Sequence, residues 1–505
     1  MTETLQHIRR LITEQAYDEA IRLCKDTKNP YILEAQAIAY SALSNFEKAY
    51  ELQKKARELN KTNIALRNNL AIYAAQTNRH GEAYDHWIEL FKDKEIPLEV
   101  RYNLAISAWK TNSLVNAHNH LKKYIDHKKN DPKALRLLAS ISIASQNLEK
   151  ALSCYEKVKK IEPLHITDLY QIGLISRDIN DLFIAKKSFK EILSIDPNHT
   201  ESHFEYAQIL LREQKYDAGF KELEWRLKRQ NAPKWTYFPE LEKGEDIRGK
   251  TLLVYAEQGA GDTLHFIRYL PLLKSHNIQH HLLCQPTLVS FLKALGFNAI
   301  DHTTPPPVCD RQAPLMSLPY RLNTPLCPKQ IDIPKELLTT ATASGLNLRV
   351  GLCWSGSNQF SNNHLRSCGL DHLQGILDAK KTEWTCLIPE ISDQDQKKIP
   401  KNTIMKFPLK PNSTYNETAK LIKNLDLIIT VDTSVAHLAG TLKKETWLIL
   451  HQPPDWRWFY DTNKSTLYPS IRIYRQKKHG KWSEVLAKLK DDLFQRSKLH
   501  NNKQA

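Results

Sequence analysis

The sequence predicts an α + α/β protein in which a solenoid of helical hairpins precedes two lobes built on parallel β-sheets. Three observations predict it. Small residues recur at a fixed spacing of 34 through the first half; strand-like and helix-like segments alternate in two blocks after residue 250; and two of those strands run into turns rich in glycine, threonine or aspartate. With 505 residues the chain also exceeds the roughly 100–200 that one hydrophobic core usually supports, so more than one domain is required.

The solenoid rests on two series. Ala37, Ala71, Ala105, Ala139, Gly173 and Ala207 form the first, and Ala49, Ala83, Ala117, Ala151, Ala185 and Gly219 the second. Four positions beyond each member of the second series stands Gln53, Trp87, Leu121, Tyr155, Phe189 or Leu223, mostly bulky and apolar, and Pro163 and Pro197 keep the same spacing. Small residues let the two helices of a hairpin touch, a large neighbour fills the groove beside them, and proline ends the second helix. This is the tetratricopeptide pattern. It predicts six full repeats from residue 30 to about residue 230, with residues 3–29 as a shorter leading hairpin, so that 1–229 is one solenoid. Such solenoids offer a concave face to a peptide, protein or glycan carrier, and a plain spacer is the alternative.

Residues 230–250 mix proline, glycine, aromatics and charge without a helical period, as a linker or docking segment would. Residues 251–274 then read as strand, glycine-bearing loop and helix. Strands at 280–284, 349–355, 384–389, 426–432 and 446–451 alternate with helical segments near 287–295, 370–379, 414–424 and 434–442, which implies two parallel-sheet lobes facing one another across a cleft. The proline-rich stretch 303–314 and the segment 324–347 break the blocks, placing a first lobe at 251–335, a second at 336–492 and a basic polar tail at 493–505. A boundary near 229 further predicts that the second half folds without the first.

Two loops carry the candidate chemistry. Gly259 and Gly261 let the backbone turn tightly at a helix start, where free N–H groups favour anions. The strand at 426–431 delivers Asp432 to its end, Thr433 and Ser434 are suited to cap the following helix, and Val435, Ala436 and His437 open it, a diphosphate site that needs no lysine loop. The formal charge of +16 suggests an acidic partner, such as a nucleotide, a phosphorylated glycan or an anionic membrane face touched peripherally; nucleic acid is not expected, since no recognised nucleic-acid motif accompanies the charge. The eight cysteines lack metal-ligand spacing, no apolar run reaches the ~18 residues of a membrane span, and the polar start has no secretory signal, so a reduced, cytoplasmic protein is expected.

The segments EQGAGDTLHFIRYLPLL, MSLPYRL, GLCWSGSNQFSNNHLRS, DLIITVDTSVAHLAG and PPDWRWFY…YPSIRIYRQ together resemble the bacterial tetratricopeptide-containing proteins related to glycosyltransferase family 9, the heptosyltransferases, over about residues 250–490. The resemblance implies a glycosyltransferase B fold of two Rossmann-like lobes, acceptor side first and nucleotide-sugar side second. It also implies no metal, no cofactor beyond the nucleotide-sugar substrate, and inversion at the anomeric carbon. Ala260 stands where relatives commonly have leucine, and Ser357 and Asn358 where heptosyltransferases usually carry a lysine, so heptose specificity does not transfer.

On this reading Asp262 is the general base, with a helix N-cap as its plainer role. Gly259, Gly261, Ser355, Asn358, Arg366, Asp432, Thr433, Ser434, Val435, Ala436, His437 and Arg457 make up the donor site. His437 donates one neutral hydrogen bond or is simply packed, while Arg366 and Arg457 compensate phosphate charge or form interdomain ion pairs. The expected activity is transfer of a hexosyl or heptosyl group from a nucleotide sugar to a glycan or protein acceptor, with the repeats recruiting a partner or acceptor; a catalytically silent scaffold is the alternative.

Overall fold

A computed structural model of the chain describes residues 3–24, 27–92, 95–230, 232, 235–324, 331–338, 347–357, 363–459, 462–477 and 480–502. It divides into two compact units, Met1–Asp168 and Leu169–Ala505. Among the described residues no helix is long and apolar enough to cross a membrane.

The first unit is helical throughout. The leading hairpin is α1 (Glu3–Thr13) and α2 (Tyr17–Leu23). Then follow α3 (Pro30–Ala42) with α4 (Phe46–Leu59), α5 (Ile64–Gln76) with α6 (His80–Leu90), α7 (Leu98–Lys110) with α8 (Leu114–His127), and α9 (Pro132–Ala144) with α10 (Leu148–Ile161). Two more hairpins, α11 (Ile166–Asp178) with α12 (Leu182–Ile195) and α13 (Thr200–Arg212) with α14 (Tyr216–Leu223), complete the six tetratricopeptide-type repeats. The alanines of both series are fully buried, and the large residues that follow them are buried too. Gln53, the polar exception, donates from Nε2 to the Leu66 carbonyl (2.9 Å), so its burial is partly compensated.

A third series is invisible to residue type. Ser44, Asn78, Asn112, Gln146, Asn180 and Gln214, again 34 apart, take positive φ in the turn inside each hairpin. None is glycine, and the amide N–H of the next residue closes the turn onto the first helix, as from Asn45 to Tyr40 O (2.9 Å) and from Ser113 to Ala108 O (2.7 Å).

The second unit adds ten strands: β1 (Thr251–Tyr255), β2 (Gln279–Cys284), β3 (Ala299–Asp301), β4 (Arg311–Pro314), β5 (Leu348–Cys353), β6 (Thr382–Cys386), β7 (Met405–Lys406), β8 (Leu427–Val431), β9 (Thr446–Leu450) and β10 (Ile471–Arg475). They form two parallel sheets, ordered β3-β2-β1-β4 and β10-β9-β8-β5-β6-β7. Each order reverses direction once, at β1/β4 and at β5/β8, and ligands of doubly wound sheets bind beyond the strand ends at such a point. The proline-rich stretch does not simply interrupt the first block, because its end, Arg311–Pro314, is β4, paired with β1 from Leu252 to Tyr255. Residues 493–502 are not a tail either. They continue the last helix, Ser483–Asn502, and Leu493 is fully buried in the second sheet's core.

The final hairpin is built into the α/β core rather than tethered to it. Ala207, Leu211, Phe220 and Leu223 share one hydrophobic cluster with β1 and with the helices flanking both sheets. Arg226, just past α14, is buried; its Nε donates to Glu257 (3.0 Å), Nη2 to Ser317 (2.8 Å) and Nη1 to Glu224 (2.9 Å). The segment 235–250 docks as well. Glu240 bridges Gln312, Leu241 and Ile247 are buried, and Gln312 Oε1 accepts the N–H groups of Tyr237 and Phe238, both at 3.1 Å.

This packing revises where the chain can be cut. Removing residues 1–164 leaves the second unit's core whole, whereas removing 1–229 takes Arg226 from a buried Glu257, a loss of about 3–5 kcal/mol for a broken buried pair, and strips four core side chains besides. Denaturant unfolding of the two truncations is expected to be cooperative for the first and absent or strongly weakened for the second. Equal stability would detach the last hairpin from the core.

Candidate active site

Both switch points open onto the same place. After β1 the chain passes Glu257 and Gln258 to Gly259, which is the N-cap of α15 (Ala260–Phe266). After β8 it passes Asp432 to Thr433, the N-cap of the eight-residue helix Ser434–Thr441. A Cβ added to Gly261 would lie 3.3 Å from His437 Cδ2 and 3.5 Å from Ser434 Cα, so glycine is what lets the two helix starts touch. The carboxylate loop of the first lobe and the amide-rich turn of the second therefore share one surface.

Asp262 is the third residue of α15, so Gly259 rather than Asp262 is the cap. Its Oδ1 accepts from Arg457 Nη2 (2.6 Å), with a quarter of the side chain exposed. Burial pushes its pKa up, against the pull of Arg457. Arg457 is 7% exposed; its Nη1 donates to both oxygens of Asp455 at 2.9 Å, and its guanidinium carbon lies 5.0 Å from the Trp456 ring centroid and 5.5 Å from that of Phe266. The arginine thus forks between carboxylates of the two lobes and leaves Nε, buried, without a protein partner.

Thr433 Oγ1 accepts the Val435 N–H (3.3 Å), as expected for a cap. Ser434 is turned to another task, its Oγ accepting from the Tyr415 hydroxyl (2.7 Å). His437 is packed: 5% exposed, stacked on Trp458 at 5.2 Å, and sharing a hydrogen bond between Nδ1 and the Tyr468 hydroxyl (3.1 Å). Burial, with Arg457, Arg268 and Arg366 nearby, holds it well below the ordinary imidazole range, so it is neutral. Val435 and Ala436 are buried in the same turn.

The loop after β5 completes the ring. Asn363 ties it down: Oδ1 accepts from the Gly356 N–H (3.0 Å) and Arg366 Nε (3.1 Å), and Nδ2 donates to Ser355 Oγ and the Gly356 carbonyl, both at 3.1 Å. Arg366 lies so close over Gly356 that an added Cβ would stand 2.3 Å from its Nη2. Ser355 also shares a hydrogen bond with Ser367 (3.0 Å). Asn358 lies outside the described residues.

The structure therefore brings together Gly259, Gly261 and Asp262 with the Asp432–His437 turn and Arg457, and the charge of Arg366 acts on Asp432. Residue-type reasoning missed Asp455, two places before Arg457 and so visible as an acid-base pair, and also Asn363 and His265. His265 is completely buried between Phe266, Trp456 and His437, with neither ring nitrogen hydrogen-bonded.

Asp432 is the group poised to titrate. Burial first, then the charge of Asp455, raises its pKa from 3.8 to about 7, although Arg366 and Arg457 oppose the shift. For an acid raised on folding, the associated stability is complete below the ordinary value and is lost as pH climbs through the folded one. Wild-type and Asp432→Asn proteins are expected to differ least below the ordinary value of 3.8, with the wild type falling progressively behind as pH climbs to about 7 and by a constant margin above it. Parallel melting curves across that window would remove the shift.

No protein-family model matches the chain. A 69-residue stretch is 33% identical to the mouse FK506-binding protein-like protein, covering 14% of this chain, which spans only a fifth (20%) of that relative's length. Similar solved structures include Pseudomonas aeruginosa PilF, with 16% identity, a TM-score of 0.32 and coverage of 40% of this chain and 93% of that one. The C-terminal part of a TPR repeat-containing protein from Cytophaga hutchinsonii has 16% identity, a TM-score of 0.37 and coverage of 46% and 96%. YrrB, described as a TPR protein with an unusual peptide-binding site, has 19% identity, a TM-score of 0.31 and coverage of 37% and 95%. The repeat assignment itself rests on the 34-residue register and the hairpins it produces.

Proposed function

We propose that the chain is a metal-independent, inverting glycosyltransferase that moves a hexosyl or heptosyl group from a nucleotide sugar to a glycan or protein acceptor, with the repeats recruiting the acceptor or a protein partner. The supporting observation is the meeting of the two switch-point loops, with Asp262 beside the helix start that follows Asp432. In this reading the two sheets are the lobes of a glycosyltransferase B fold. Asp262 takes the proton of the acceptor hydroxyl as its oxygen attacks the anomeric carbon, and the bond to the nucleotide diphosphate breaks on the opposite face. The leaving diphosphate is met by the Ser434 N–H at the helix start and by Arg366, the Val435 and Ala436 N–H groups being already taken by Thr433. Asp432 addresses sugar hydroxyls.

One observation favours the second reading, a silent scaffold. The guanidinium of Arg457 already holds Oδ1 of Asp262, so that oxygen meets an acceptor hydroxyl only once the pair opens. The two readings separate on turnover. In a panel of nucleoside diphosphates and nucleotide sugars, at least one is expected to raise the melting temperature, since a ligand of the folded state stabilises it. The matching nucleotide sugar is expected to release nucleoside diphosphate. Asp262→Asn should keep donor affinity within a few-fold and lose release. A panel without any shift would leave the scaffold, whereas an Asp262→Asn protein of full activity would remove Asp262 from the role of base.

A further inference from the structure

In the first unit, α8 and α10, the second helices of consecutive repeats, border a groove of about 500 Å³ floored by α9. Cavities of ~300–1,000 Å³ hold ligand-sized groups, so this one takes a few side chains rather than a domain. Lys122 and Lys129 line it from the α8 side, and Lys150, Lys157 and Lys160 from α10. All five are exposed, and none forms an ion pair among the described residues. The single acid on the lining is Asp126.

The floor is of opposite character. Leu135 and Leu138 of α9 are buried, Ile125 is half-buried, and Ile161 at the end of α10 is 41% exposed. Helical spacing accounts for both properties. Lys122, Ile125 and Asp126 share one face of α8, with Lys129 in the turn that follows it, as Lys150, Lys157 and Ile161 share one face of α10. Among the described residues His118 is the single ring on the lining, and no arginine there offers a bidentate grip on phosphate.

We infer that this groove binds an acidic peptide segment of a partner protein, its apolar side chains seated on Leu135, Leu138 and Ile161 and its carboxylates paired with the lysines on both rims. The inference rests on the part of the proposed function that gives the repeats a partner, and not on transfer chemistry. The site is defined by the second helices of two repeats, whereas the sequence pointed to the concave face.

Fluorescence anisotropy on the full chain tests it, with three short probes: alternating Glu and Leu, alternating Glu and Ser, and alternating Lys and Leu. The Glu–Leu probe is expected to bind at least tenfold more tightly than either control. Lys122→Glu with Lys157→Glu, on exposed positions and with melting temperature unchanged, is expected to cost at least tenfold for that probe and to gain affinity for Lys–Leu. Lys150→Glu with Lys160→Glu serves the same purpose should the first pair fail to fold. The inference is overturned by a Glu–Leu probe no better than its controls, by charge-reversed protein that still binds it, or by an RNA oligonucleotide or anionic vesicle that displaces it at lower charge concentration. Nucleotide-sugar turnover, measured separately, reports on the transferase reading alone.

Discussion

The guanidinium of Arg457 is the contact on which the rest of the site depends. It is buried, it reaches Asp262 on one side and Asp455 on the other, and aromatic rings wall it in. A charge so placed is stable only while both carboxylates remain, because a desolvated ion without partners is expensive. The same contact ties the helix that carries Asp262 to the loop that carries Arg457. A ligand diphosphate would add negative charge to a cluster in which Asp262, Asp432 and Asp455 face Arg457, with Arg366 alongside. Whether the site acts on a ligand or merely holds two sheets together is decided by how readily that fork yields.

The repeats reach into this arrangement directly. Phe220 of α14 presents its ring edge-on to Phe266, Tyr269 and Trp456, at 6.0–6.4 Å between centroids. Arg212 of α13 donates to the carbonyl of Pro454 (2.7 Å), next to Asp455. The last hairpin therefore braces both the helix that carries Asp262 and the loop that carries Arg457. In the second unit, helical repeat and α/β fold are one folding problem with a common interior.

Periodic features were legible in the sequence and solitary ones were not. The 34-residue register appears because every repeat solves the same packing problem with residues of the same size, and the long apolar strands β5, β8 and β9 appear because both of their faces are buried. The three-residue β3, the two-residue β7 and the proline-ended β4 carry too few residues for a pattern to emerge. At the site, the glycine and threonine turns were readable because local backbone chemistry demands those residues. Asn363 and His265 were not, since their importance comes from partners brought near by folding. His437 was placed correctly in sequence, but its packed and neutral state depends on Trp458 and Tyr468, which no local pattern links to it.

The left-handed residue inside each hairpin has a consequence for how the surface tolerates change. Ser44, Asn78, Asn112, Gln146, Asn180 and Gln214 are all exposed, and exposed positions ordinarily accept almost any side chain. Here the backbone vetoes that freedom: a branched Cβ at positive φ collides with its own main chain, while asparagine tolerates the conformation best among non-glycine residues. Six outward-facing sites that touch little are thus less permissive than their exposure suggests, and Ser, Asn and Gln, all unbranched at Cβ, share them.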